Sequence, residues 1–364
     1  MITPFALFGM GLEEWAVLVI AAFAGGAFGA AIGALPAFIF TGLMVIAGEA
    51  AEILQVELAG AGAIEGGSVV VGITDSIAFG PVFGPHVAFA GGAAATAYAA
   101  RRGYMDTGSD YHEAKNIAYA LGTKPDVLAV GGLFGVLGMG IGEASGAFAL
   151  PWDPIAMGVV LSAVFHRLVL GFPVVGEIRG RNVLDMTPFE REERRSAEEV
   201  ATDGGVTVGR FAVEPWLPHQ YRWSGVATLG LVVGVLGAYI ALATGSFFLA
   251  FGISAATLLF LNCGVEQIPV THHITLPAST AAIIVGGTAA GTATGTALLG
   301  ALVVGAAFGV YGALLGEVAQ RVFYAHGDTH FDPPAMSIVV STFTIAALAL
   351  VGVLPGPGWV PLPI

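Results

Sequence analysis

Charged residues are scarce in this sequence. They make up 11% of its 364 residues, whereas a soluble globular domain has about 25%. Hydrophobic residues make up 56%, and apolar runs of roughly twenty residues recur, which is the length that an α-helix needs to cross a bilayer. The composition therefore excludes an ordinary soluble domain and predicts an all-α polytopic membrane protein.

Cysteine and positive charge are scarce as well. The single cysteine, Cys263, excludes an internal disulfide framework and a cysteine-rich zinc site. The formal net charge is −13, so we expect no nucleic-acid partner. An acidic chain with two lysines against eleven arginines resembles haloarchaeal proteins in composition. Residues 1–11 have no basic region, and we expect no cleavable signal peptide.

Glycine is abundant, with 54 residues, and some of these glycines form a series that occurs twice. In each copy four glycines at helical spacing precede a glutamate and an Asp-Pro pair. This repetition predicts two transmembrane units, 1–173 and 223–364, joined by a charged linker, 174–222. The two series are Gly131, Gly135, Gly138, Gly142, Glu143 and Asp153-Pro154, and Gly305, Gly309, Gly312, Gly316, Glu317 and Asp332-Pro333.

Each unit is predicted to contain five membrane spans. The glycine series lies in the fourth, where small residues let neighbouring helices approach closely. In the linker, mixed charges at residues 190–195 and at Glu198 and Glu199 suggest one short solvated helix. The predicted spans are 15–35, 37–54, 86–100, 126–149 and 154–172, then 223–243, 247–261, 274–284, 298–321 and 334–353.

The stretch before the third span of each unit is interrupted. Residues 59–85 are rich in glycine and include Glu65 and Ser68, and residues 262–273 are polar. Irregular backbone at membrane depth survives only where protein or a water-filled cavity surrounds it. We therefore predict broken or re-entrant segments at both places.

The arginine distribution predicts the topology. An odd number of spans per unit puts the two units in opposite orientations. If the basic loop 101–124 is cytoplasmic, the linker and Arg321 are cytoplasmic too and the N-terminus is outside, as the positive-inside rule requires. The prediction is thus a multi-pass protein of the cell membrane with two inverted repeats.

Histidines occur at equivalent places beside the two interrupted stretches. His86 and His273 each begin the third span of a unit, and we expect them to face one central cavity and to approach each other there. We predict a substrate path at this point because a neutral imidazole both binds ligands and titrates near pH 7; a histidine that caps its own helix is the alternative. The other path candidates are Asp75, Asn262, Glu143, Thr271 and His272.

Two further sets of acidic residues have a structural alternative. Glu143 lies inside an apolar helix, where a carboxylate is costly and by default a functional candidate, although a hydrogen bond to a neighbouring helix would also explain it. Asp153 and Asp332 each precede proline, which fits a helix N-cap, and their helix starts could also point at a shared site.

The run His326, Asp328, His330 alternates nitrogen and oxygen donors. Such donors bind zinc or another divalent ion, so a metal cofactor is a hypothesis, with a solvated loop as the alternative.

The function that fits best is a transporter or channel for a small solute or ion, with the path between the two repeats. The bilayer and that solute or ion are the expected partners. One alternative is a membrane-embedded metal-dependent enzyme. Another is a structural membrane protein that forms homo-oligomers through its glycine faces. The run 276–280, Leu-Pro-Ala-Ser-Thr, is similar to the Leu-Pro-x-x-Thr signature of urea transporters in one half only.

Overall fold

The protein is all-helical in a computed structural model that describes residues 10–63, 72–196, 209–287 and 289–363. Within these ranges an isolated β-bridge joins Arg194 and Phe211. Four sequence candidates, Glu65, Ser68, Glu198 and Glu199, lie outside the described residues.

The described part of the first half contains five α-helices. The turn between the first two is at Gly33, whose φ of 96° is a conformation that favours glycine. The helices are α1 (Leu12–Ile32), α2 (Ala34–Gly60), α3 (Ala90–Arg101), α4 (Pro125–Ala147) and α5 (Pro154–Leu170).

Two π-helical turns lie between α2 and α3. They cover Thr74–Ala78 and Pro85–Phe89, and the second continues directly into α3. This part of the chain is where the sequence predicted an interrupted segment. Short π-helical turns often occur at functional sites because they change the direction of side chains relative to the rest of a helix.

The described part of the linker and second half contains seven further helices. The π-helical turn Gln320–Tyr324 extends the sixth of them. They are α6 (Thr187–Glu190), α7 (Trp223–Thr244), α8 (Leu249–Ala256), α9 (Leu258–Asn262), α10 (His272–Gly286), α11 (Gly295–Ala319) and α12 (Pro333–Leu350).

Six of these helices are long and apolar enough to span a membrane. They are α1, α2 and α4 in the first half and α7, α11 and α12 in the second, so the described residues contain three helices of full length in each half, where the sequence predicted five spans. Other helices are shorter than a full span: α3 has 12 residues and α10 has 15. At 1.5 Å per residue, about 20 residues are needed for a hydrocarbon core of about 30 Å.

The glycine series brings helices into backbone contact in both halves. In the first, α4 packs on α1, and a methyl group at Gly135 would lie 2.5 Å from the carbonyl oxygen of Ala22. In the second, α11 packs on α7, and a methyl group at Gly309 would lie 2.5 Å from Cα of Gly234. Only glycine allows this approach, so these positions are structural.

Three helix pairs join the two halves among the described residues. Helix α2 packs on α8 and α9, and α5 packs on α12. At the contact of α5 with α12 the backbone N–H of Asp153 donates to Oγ1 of Thr342 (3.0 Å), and thirteen positions further along α5 the ring of His166 lies 3.0 Å from Oγ1 of Thr329. The later residue of the α5 segment thus contacts the earlier residue of the α12 segment, so the two helices run antiparallel.

The described part of the linker contacts both halves, and its charged residues 190–194 are exposed. Helix α6 has four residues and ends at Glu190, the first residue of the charged run, and Glu192 has a φ of 56°. Arg194 pairs with Asp110 at 2.6 Å, and Arg195 is buried. Arg194 and Arg195 therefore pair with acidic residues that are far away in the sequence. In a regular helix they would pair with residues one turn away.

Candidate functional site

A cavity of about 730 Å³ lies between the two halves. Its wall includes residues of α2, α4 and α5 from the first half and of α8, α10 and α12 from the second. Most of these residues are apolar, and several are aromatic. The aromatic residues of the wall are Phe38, Phe79, Phe89, Trp216, Phe248, Phe251, Tyr324 and Trp359.

His86 lies on this wall and rests on the glycine series of its own half. Its ring is close to Gly142, where an added methyl group would meet Cδ2 at 3.2 Å. Its Nδ1 is buried and has no hydrogen-bond partner among the described residues. The nitrogen is therefore unsatisfied unless a ligand or water reaches it.

His273 occupies the same position in the second half but is not part of the cavity wall that the described residues form. Its ring lies against Gly316 of α11, and its centroid is 6.2 Å from that of Trp216. The preceding residue, His272, lines the cavity instead, with its ring centroid 4.7 Å from that of Phe38. The expectation that His86 and His273 meet in one cavity is thus corrected, because adjacent residues on a helix point in different directions.

The remaining path candidates are divided in the same way. Asp75 and Glu143 line the cavity. Asn262 is exposed at the end of α9, and Thr271 is buried just before α10; neither is on the wall. Asn262 therefore does not join Asp75 at the cavity, because α9 ends well before the chain enters α10.

Asp153 and Asp332 are helix N-caps and also line the cavity. The carboxylate of Asp153 accepts hydrogen bonds from the backbone N–H groups of Ile155 (2.8 Å) and Ala156 (3.3 Å), and that of Asp332 accepts from Ala335 (2.8 Å). The N-terminal ends of α5 and α12, one from each half, therefore both border the same cavity.

Glu317 differs from its sequence counterpart Glu143. It accepts hydrogen bonds from Arg321 (2.5 Å) and Gln320 (3.0 Å), and it is buried. Glu143 lines the cavity without such partners among the described residues. The two equivalent glutamates thus have different environments, and only Glu143 is available to a ligand.

A buried group of charges adjoins the cavity. Lys115, on the cavity wall, lies 2.6 Å from Glu214, which also pairs with Arg210 at 3.2 Å. Arg210 in turn lies 2.6 Å from Asp328. Burial lowers the pKa of Lys115 to about 8, an effect that the carboxylate of Glu214 opposes. The group joins the first-half loop, the linker and the second-half loop.

The run His326, Asp328, His330 does not form a metal site, which corrects that hypothesis. His326 lies 3.1 Å from the carbonyl oxygen of Val183, Asp328 pairs with Arg210, and His330 faces Asp332 at 3.4 Å. Within the described parts of the chain, no three histidine, cysteine or acidic side chains are close enough together to hold an ion. The alternating donors point in different directions, each to its own partner.

Sequence reasoning missed Arg167, a fully buried arginine near the end of α5. Its guanidinium donates to Oγ1 (2.9 Å) and to the carbonyl oxygen (2.8 Å) of Thr329, and also to the carbonyl oxygen of Val174. An arginine within an apolar helix is rare and costly, and this signal in the sequence could have identified it. It joins α5 to the loop that precedes α12.

The chain matches a family model over residues 8–363, and that family is described as a family of unknown function, DUF7973. The match covers nearly the whole chain, so the protein belongs to this family. No curated protein and no solved structure matches it.

Proposed function

We propose that the protein is a membrane transporter or channel for a small solute or ion. The cavity of about 730 Å³ between the halves carries this proposal. Its wall has apolar and aromatic side chains with a few polar groups, which is the usual composition of a small-molecule site. In transporters built from repeats, the substrate site lies where the two repeats meet.

The packing of the helices supports two copies of one unit. Helix α3 packs on α4 in the first half, and α10 packs on α11 in the second. His86 and His273 each rest on the glycine series of their own half. The equivalent helices α5 and α12 run antiparallel, as the contacts of Asp153 and His166 indicate. Antiparallel equivalents are what inverted repeats require, and we propose that arrangement here.

The shorter helices support a path through the membrane. Helices α3, α5 and α10 are shorter than a full span, and α5 and α10 line the cavity. Broken helices whose ends meet near mid-depth form the binding sites of many transporters. We place the loop 102–124 and the linker on the cytoplasmic side, where their arginines satisfy the positive-inside rule.

The test is transport by purified protein in proteoliposomes. Small cations, neutral solutes and anions are supplied one at a time, and their entry is compared with entry into protein-free vesicles. Ala156 and Ala335, equivalent residues of α5 and α12, both line the cavity. Ala156→Trp and Ala335→Trp should each block the entry of whichever solute the parent protein admits, because the indole fills the path.

Leu299→Trp is the matched control, since Leu299 is exposed on the outer surface of α11. We expect it to keep parental transport. Should no solute enter faster than it enters protein-free vesicles, the proposal is overturned and a structural role, such as oligomer formation through the glycine faces, remains.

A further inference from the structure

The cavity wall carries unpaired negative charge. Asp75 and Glu143 both face the cavity, and neither is in an ion pair or hydrogen bond with another described residue. Lys115 is the only lysine or arginine on the described part of the wall, and it is paired with Glu214 at 2.6 Å. A ligand in the cavity thus meets two carboxylates and no unpaired cation among these residues.

The other two acidic residues of the wall are not part of this surplus. Asp153 and Asp332 accept hydrogen bonds from the backbone at the start of their own helices. A helix N-terminus stabilises negative charge, so these carboxylates are already compensated. Asp75 and Glu143 are the pair that a ligand would have to neutralise.

Aromatic rings from both halves form a connected wall around the same space. Phe38 lies 6.0 Å from Phe251 between ring centroids, and Phe79 lies 5.3 Å from Phe248. Trp359 continues this wall at 5.2 Å from Phe248. The face of an aromatic ring attracts a cation within about 6 Å, and the attraction increases when water is excluded.

The unpaired acidic residues of the wall offer hydrogen-bond acceptors only. An ionised carboxylate has no donor, so a cation with N–H donors can form hydrogen bonds with Asp75 and Glu143. His86 and His272 are also part of the wall and are 6% and 5% exposed, but their Nδ1 atoms are enclosed within the protein.

We infer that the cavity binds a small monovalent cation with N–H donors, of the amine or guanidine class. The carboxylates supply the countercharge and accept its N–H groups, and the aromatic faces bind the cation from the sides. An anion would meet uncompensated carboxylates, and a neutral solute would leave their charge unbalanced. This inference rests on the proposed function, because it names the class of solute that the path would carry.

Guanidinium and urea are the probes, because they have nearly the same size and shape and differ in charge. Binding is measured as the shift of the thermal unfolding midpoint of the purified protein at low millimolar probe, far below denaturing concentrations. Transport is measured as entry into proteoliposomes, with acetate as the anionic probe. Guanidinium should raise the midpoint and enter the vesicles, whereas urea and acetate should do neither.

The double variant Asp75→Asn, Glu143→Gln should lower guanidinium affinity by about tenfold, as expected for two weak, partly solvated charge interactions. Glu57→Gln removes an exposed carboxylate of α2 that is not on the cavity wall, and it should behave as the parent. Phe79→Leu should lower the affinity by about threefold, and Phe79→Tyr should keep it, because tyrosine retains the aromatic face.

The outcomes separate the two proposals. If guanidinium stabilises the protein but neither guanidinium nor any other tested solute enters the vesicles, the cation site stands and the transport function is overturned. If urea enters as fast as guanidinium, or the double variant keeps parental affinity, the cation inference is overturned and the transport function stands. If neither probe binds and no solute enters, both are overturned.

Discussion

Lys115 and Glu214 form an ion pair of 2.6 Å in which both side chains are 1% exposed. The residues are far apart in sequence, since one belongs to the loop before α4 and the other to the linker. Glu214 also accepts a hydrogen bond from Arg210, and its carboxylate oxygens lie 3.3 and 3.4 Å from the backbone nitrogen of His112. This pair therefore holds the linker against the first half, beside the cavity.

We expect removal of either partner to destabilise the protein. Lys115→Met leaves the carboxylate of Glu214 short of one partner, and Glu214→Gln leaves Lys115 buried and unpaired; each should cost about 3–5 kcal/mol, as for other broken buried pairs. The double variant should lose less than the sum of the two. Thermal unfolding in detergent measures all four proteins, and additive losses would show that the pair does not couple.

The folded protein should lose stability as the pH falls from 6.5 towards 4. Burial, together with the charge of Arg210, lowers the pKa of His112 from 6.5 to about 3. Between these values the unfolded chain binds a proton at His112 that the folded protein does not bind, so acid favours unfolding. The slope is at most about 1.4 kcal/mol per pH unit for one such group.

His112→Asn tests this assignment. The backbone N–H of Ala114 donates to Nδ1 of His112 (3.1 Å), and the side-chain oxygen of asparagine can accept the same bond. The variant should have a shallower dependence of the unfolding midpoint on pH, although burial also lowers the pKa of His326 and His330. An unchanged pH profile would falsify the role of His112.

Glycine contacts within the membrane should tolerate no side chain. Gly135→Ala and Gly309→Ala should each cost about 1–3 kcal/mol, because the new methyl group meets backbone of the packed helix. Gly140→Ala and Gly300→Ala are matched controls on the same two helices, with no atom within 4 Å of an added methyl group. The controls should be neutral or gain up to about 1 kcal/mol through helix propensity. Equal stability of all four variants would show that the series does not pack as described.

Cysteine labelling should place the start of α1 and the linker on opposite sides of the membrane. In a Cys263→Ser background, Glu14→Cys and Glu193→Cys supply exposed thiols. A reagent that does not cross the membrane should label Glu14→Cys from outside and Glu193→Cys from the cytoplasm, following the positive-inside rule. Labelling of both from one side would contradict the inverted arrangement.

Local patterns in the sequence determined much of the architecture. The composition indicated an all-helical chain with membrane-spanning segments, and the structure has six helices of suitable length among the described residues. Asp153-Pro154 and Asp332-Pro333 lie at helix starts, as the preference of aspartate for the N-cap and proline for the first turn indicates. These features depend on residues within one or two turns, so the sequence alone contains the information.

Tertiary structure decided what depends on contacts between distant segments. His272 rather than His273 borders the cavity, and Lys115 pairs with Glu214 across 98 intervening residues of chain. Full-length and shorter helices have similar apolar composition, yet α10 ends after 15 residues, at Gly286. Periodicity and charge define the faces of each helix, but which face meets the cavity depends on how the two halves pack. That packing maximises burial and satisfies polar groups over the whole chain at once, which no local pattern specifies.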